Sequence, residues 1–127
     1  STALHICFGY GTRTPNKPPA YAFLEELAAA NVDAISVETA QSRLDCAALA
    51  RLPGKTIILG VLDLSTNDVE TPEEVASRIR RALPYVEPER LVVAPDCGLK
   101  YTPREVAFAK LQALVAGAAI VRAELSA

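Results

Sequence analysis

The sequence predicts an α/β protein of (βα)4 type, half of a TIM-type (βα)8 barrel with parallel strands. Three observations predict it. Four short apolar runs rich in Ile and Val recur along the chain, and a helix-forming segment follows each of them. The runs are nearly continuous rather than alternating, as in strands covered on both faces. The first run starts almost at the first residue, as though the chain were cut from something longer. Four strands cannot close a barrel, because both edges would keep unpaired backbone groups. The expectation is therefore a homodimer, or a longer parent that supplies the missing strands.

The strands are expected at Leu4–Phe8, Ala34–Val37, Thr56–Leu62 and Leu91–Ala94. Between the first two, Gly9–Pro19 (GYGTRTPNKPP) reads as a loop longer than most βα connections, placed where a parallel βα protein keeps its chemistry. Pro19–Ala30 carries helix formers up to Asn31, and Asn31-Val32-Asp33 reads as a connector. Gln41–Leu52 is the second expected helix, stopped by Pro53-Gly54. The third opens on Thr71-Pro72-Glu73-Glu74, a capping box with proline at the first helical position. The fourth opens in the same pattern at Thr102-Pro103-Arg104-Glu105 and runs toward Arg122. Right-handed crossovers then join the strands into a parallel sheet.

At 127 residues, half of them apolar, with a formal charge of −2, the chain makes at most one domain with a real core. No basic cluster with interleaved aromatics points to nucleic acid. No apolar run is expected to reach membrane-spanning length, and no charged-then-apolar leader opens the sequence. Three widely spaced cysteines do not make a disulfide framework, which fits a reducing cytoplasm.

The single histidine, His5, stands two residues from Cys7, so an extended backbone puts both side chains on one face. Glu38 follows the second strand, and Cys97 lies just past the fourth. All four fall at strand C-terminal ends, where βα proteins collect their chemistry. Imidazole, carboxylate and two thiolates are donors that zinc accepts in tetrahedral geometry. Such a centre binds a further thiol and supplies it as a thiolate at neutral pH. Each residue also has a plain structural account: Cys7 as a small hydrophobe, His5 as a core imidazole, Glu38 beside a helix N-terminus, Cys97 in a tight turn. Residue types and spacing leave both accounts open. Asp63 and Asp96 are the further candidate catalytic residues at the strand ends. Asp63 and Asp96 are placed to orient ligands, or Asp96 to steady the turn before Gly98. Cys46 reads as core, and Arg13 and Lys100 as solvated charges or contacts for an anionic substrate.

With these residues assembled, the chain resembles the C-terminal catalytic barrel of the cobalamin-independent methionine synthases and their shorter relatives. The matching blocks are HICFGYG, DAISVETAQSRLD, ILGVLDLST and PERLVVAPDCGLKYTPR, the last being the most specific. The resemblance implies that residues 1–127 form a single C-terminal half-barrel of such a domain. It implies zinc held by His5, Cys7, Glu38 and Cys97, and methyl transfer to homocysteine from a methylated tetrahydrofolate, giving methionine. One departure stands out. Where the long synthases carry D-I-H-S, with a histidine assigned to proton delivery, this chain reads Asp63-Leu64-Ser65-Thr66, so Ser65 replaces the imidazole. That leaves room for another donor, such as a methylated corrinoid, for a thiol alkyltransferase of the coenzyme M type, and for a half-barrel that binds metal without catalysis. An open receiver-like α/β module lacks the acidic cluster and lysine it would need.

Overall fold

A computed structural model describes all of Ser1–Ala127. Its strands are β1 (Ala3–Ile6), β2 (Ala34–Glu38), β3 (Thr56–Leu62) and β4 (Leu91–Pro95). They form one sheet in the order β1-β2-β3-β4, and every pairing is parallel. A sheet whose order never reverses has no switch point. Successive crossovers of one hand then lay their helices on one face, which is half-barrel topology rather than a doubly wound sheet.

Alternation along the strands divides the residues accordingly. Ile35, Val37, Ile57, Leu59 and Val61 are wholly buried on the helix-covered face, joined by Ile6, Leu91 and Val93. Each full burial of such a side chain contributes about 1.5–3 kcal/mol, so this face holds the sheet together. The opposite face alternates with it and carries His5, Ser36, Thr56, Ile58 and Val92. His5 is exposed, and Val92 is 48% exposed. In this chain helices cover one face, and the other lies open with the candidate site at its rim.

The helices differ from expectation in extent. In place of Pro19–Ala30 the chain forms only α1 (Leu24–Ala28). Lys17 and Tyr21 are drawn inward ahead of it, Tyr21 stacking on Phe8 with ring centroids 4.0 Å apart. Gln41–Leu52 is not an α-helix either; a 3-10 turn covers Cys46–Arg51, capped by Asp45, whose side chain accepts from Ala47 N–H. The reason is visible just upstream. The N–H groups of Thr39, Ala40 and Gln41 are spent on the Asp96 carboxylate, and Arg43 takes a φ of 53°. A helix cannot start through a left-handed residue.

The capping box forms as expected at α2 (Pro72–Arg80). Glu74 N–H donates to Thr71 Oγ1 at 3.2 Å, and Thr71 N–H to Glu74 Oε2 at 2.6 Å. The matching motif before α3 (Arg104–Leu125) makes no side-chain cap, and Pro103 occupies the N-cap instead. By length and composition α3 could cross a membrane, contrary to expectation, but here it packs along α2. At Gly117 the approach is so close that any Cβ would strike Val75 and the Pro72 carbonyl.

Candidate metal centre and its loops

His5 lies inside β1 and Cys7 one residue past its end; Cys97 follows β4 after Asp96. Their donor atoms (a ring nitrogen and two sulfurs) all lie within 4.8 Å of one another. Tetrahedral zinc, with bonds of about 2.0–2.3 Å, places its donors roughly 3.3–3.8 Å apart, so a contraction of about an ångström seats an ion. The donor set fits zinc. Ser36 Oγ lies 2.9 Å from His5 Nδ1, which orients the ring and leaves Nε2 for coordination. Burial first, then the neighbouring Cys7, raises the Cys97 thiol above its ordinary pKa, with the Lys17 ammonium acting in the opposite sense.

Glu38 is not among these three. It is fully buried, and its Oε2 accepts from Phe8 N–H at 3.2 Å, one residue from Cys7. Its Oε1 lies 2.8 Å from Nζ of Lys17, whose side chain is only 2% exposed. The pair sits at ion-pair distance, yet Oε1 receives no well-directed hydrogen bond. Burial, then the Glu38 and Cys7 charges, pushes the Tyr21 phenol well above its usual range; its hydroxyl donates to Ile6 O at 3.3 Å.

The other candidates take structural positions. Asp96 is almost wholly buried. It accepts from Thr39, Ala40 and Gln41 N–H at 3.1, 3.0 and 2.7 Å, pinning the loop after β2 to the end of β4. Burial raises its pKa to about 6, opposed by these three donors. Gly60 makes room for it, since a Cβ there would collide with the carboxylate. Asp63 and Ser65 engage each other: Asp63 Oδ1 accepts from Ser65 N–H at 2.8 Å and from Ser65 Oγ at 2.6 Å. That local turn is bound from behind by Glu70, which accepts from Asp63 N–H at 2.7 Å, and by Lys110, which donates to Asp63 O at 2.9 Å.

Cys46 is buried away from the cluster, and burial raises its thiol pKa, as expected of a core residue. Arg13 and Lys100 are exposed, as expected of solvated charges, and both lie over the Tyr101 ring, 5.0 and 4.8 Å from its centroid.

Two residues at the rim escape sequence reasoning, Lys17 and Gln41. Gln41 Nε2 donates to Gly11 O at 3.1 Å and Thr14 O at 3.3 Å, tying the long loop down. Gly11 itself rests on the Leu64–Ser65 backbone, too close to admit a Cβ. The available signal for Lys17 was its place as the only lysine of a Gly/Pro-rich loop following a His-x-Cys strand.

The fold and site define a parallel β/α unit carrying a His/Cys donor cluster at the carboxyl ends of its strands. Residues 4–120 match the family described as the cobalamin-independent synthase catalytic domain, and the chain belongs to that family. It is 38% identical over 123 residues to a methionine synthase of Sulfurisphaera tokodaii, covering 96% of this chain and 33% of that protein. With a methionine synthase of Thermococcus kodakarensis it shares 47% identity over 78 residues, covering 61% of this chain and 23% of that one. Among solved structures, a B12-independent methionine synthase from a Shewanella species, in complex with selenomethionine, superposes with a TM-score of 0.89. There the identity is 36%, covering 97% of this chain and 39% of that one. The chain thus spans about a third of the length of these relatives.

Proposed function

We propose that this chain is the metal-bearing half of a methyltransferase that methylates the thiol of homocysteine, forming methionine. The observation that carries the reading is the meeting of His5, Cys7 and Cys97 within 4.8 Å at the open rim. Family membership and the relatives' name, methionine synthase, support the substrate class. His5, Cys7 and Cys97 would hold zinc, with Glu38 as the fourth donor. Zinc when bound supplies Lewis acidity that lowers a thiol's pKa. Ser36 fixes the His5 ring, and Asp96 and Gln41 hold the surrounding loops in register.

In the transfer, the thiolate sulfur forms a bond to the donor's methyl carbon. The methyl–nitrogen bond of a methylated tetrahydrofolate breaks, and its electron pair stays on nitrogen, which takes up a proton. Ser65, tied to Asp63, is a poor acid for that proton. A methylated corrinoid, whose leaving group needs no proton, is the second donor to test, and coenzyme M the second thiol. The open sheet face and the two edges, β1 and β4, would be completed by four further strands, from a longer parent or a second copy. The free thiols suit the reducing cytoplasm, where we place the protein.

Purification without added metal is expected to yield about one zinc per chain. Cys7→Ala and Cys97→Ala should abolish it, and Cys46→Ala should not. Zinc retained by Cys97→Ala but lost from Cys46→Ala would defeat the assignment. Product assays with each donor and each thiol then fix the reaction.

A further inference from the structure

Two loops at the open rim each present a cation that has no carboxylate partner. Arg13 ends the 3-10 turn Gly11–Arg13 after β1, and Lys100 stands three residues past Cys97. Neither makes an ion pair, whereas Lys17, Arg78, Arg80, Arg90 and Lys110 each do. Both charges rest on one ring: the Arg13 guanidinium carbon lies 5.0 Å and Lys100 Nζ 4.8 Å from the Tyr101 centroid. They therefore stand within about 10 Å of each other, roughly the Debye length in moderate salt, where like charges repel and their fields add.

The backbone beneath them is fixed. Arg13 N–H donates to Tyr10 O at 3.0 Å, and Gln41 Nε2 holds the carbonyls of Gly11 and Thr14 on either side. Tyr10 braces the second loop against the first. Its ring stands perpendicular to that of Tyr101, with centroids 4.8 Å apart, and its hydroxyl accepts from Tyr101 N–H at 3.3 Å.

From this arrangement we propose that Arg13 and Lys100, seated on Tyr101, form a subsite for the carboxylate end of a co-substrate. Assigning the ligand to a co-substrate rests on the methyl-transfer reading above. An anion between the two cations relieves their repulsion, and attraction to the ring keeps both head groups in place while the subsite is empty. Arg13 offers the carboxylate a planar fork and Lys100 a point charge. Chain reach keeps the subsite near the cluster, since three residues place the Lys100 backbone at most about 11 Å from that of Cys97. The shared chemistry, a carboxylate, occurs both in an acidic tail on a methyl donor and in the amino acid homocysteine.

Isothermal titration calorimetry on the purified protein tests this with two probes, triglutamate for the tail and homocysteine for the amino acid. Arg13→Gln and Lys100→Gln should each weaken the same one of the two probes about two- to fivefold, the scale of an exposed ion pair. The probe affected names the source. Tyr101→Leu changes no charge and should weaken that probe as well, and Arg13→Lys should lose less than Arg13→Gln. Arg51→Gln removes an exposed charge from the opposite end of the strands and should leave both probes unaffected. Arg13, Lys100 and Tyr101 are all exposed, so their variants should fold, and circular dichroism checks that they do.

Equal weakening by Arg51→Gln, or full retention by Tyr101→Leu, would reduce the effect to general attraction and overturn the proposal, as would failure of the wild-type protein to bind either probe. Triglutamate needs no metal to bind. A protein that holds zinc yet binds both probes equally well with and without Arg13 and Lys100 therefore defeats this inference alone. One that holds no zinc but binds triglutamate through them defeats the metal reading alone.

Discussion

The molecule buries two lysine–glutamate pairs, Lys110–Glu70 and Lys17–Glu38, and completes only one of them. Around the first, every charge is matched. Glu70 Oε1 accepts from Asp63 N–H and from Arg78 at 3.0 Å, and Oε2 accepts from Lys110 at 2.9 Å. Lys110 also donates to Asp63 O, and Arg78 to Val61 O. This network fastens the end of β3 to α2 and α3. The second pair has the same chemistry and similar burial but leaves Glu38 Oε1 without an aligned donor. A buried polar network that is fully satisfied rigidifies one structure, and an unsatisfied group within one calls for an explanation. The complete pair stands behind the rim, and the incomplete one beside the His5/Cys7/Cys97 cluster.

The sharpest way to break this contrast is to remove one lysine at a time. Lys110→Met strands Glu70 beneath α3 and should destabilise the fold by about 3–5 kcal/mol, the scale for an uncompensated buried charge. Urea denaturation measures it. Lys17→Met acts on a long loop outside the main apolar core, so its loss in the metal-free protein should be clearly smaller. Equal losses would mean that the two pairs are both structural clamps.

Neutralising the acids sharpens the comparison from the other side. Glu70→Gln removes charge from two cations at once and should lose about 1–3 kcal/mol, the range for hydrogen bonds to charged groups. Glu38→Gln should lose less, because Lys17 keeps its bond to Gly9 O and rides on a loop outside the main apolar core. Thermal unfolding of both variants without metal ranks them, and a larger loss at Glu38 would contradict the assignment.

What was legible in the sequence divides along similar lines. The strands and the α2 capping box depend on local apolar runs and on Thr71 and Glu74, so they could be read directly. Donor type and placement at strand ends put His5, Cys7, Glu38 and Cys97 in one candidate set, of which the structure gathers three, with Glu38 paired to Lys17. The expected helix at Gln41–Leu52 failed at Arg43, whose left-handed φ of 53° interrupts it, in a loop pinned from a distance by Asp96 just past β4. Lys17 was hidden for the same reason: a lysine in a polar loop reads as solvated until the fold folds that loop over Glu38. Pairings between distant segments leave no local pattern. Lys110 likewise sits in a helix whose apolar stretch conceals its buried charge.

The smallest expected effect is in the pH dependence, and it isolates the complete pair. Burial opposes ionisation of Glu70, but the Lys110 ammonium and the Asp63 N–H outweigh it, so its pKa in the folded chain is lowered. A carboxylate with a lowered folded pKa adds stability that is fully present above its unfolded pKa of about 4.3. That stability drains away as the pH falls through the lower folded value. Wild-type stability should therefore decline below about pH 4.3 more steeply than that of Glu70→Gln, which has no group to titrate there. The two curves should run parallel from about pH 5 to 7, offset by the lost hydrogen bonds. Denaturant midpoints collected across that range give the comparison. An acid limb equally steep in both proteins would assign the acid sensitivity to other carboxylates and remove Glu70 as the charge that anchors β3 to its helices.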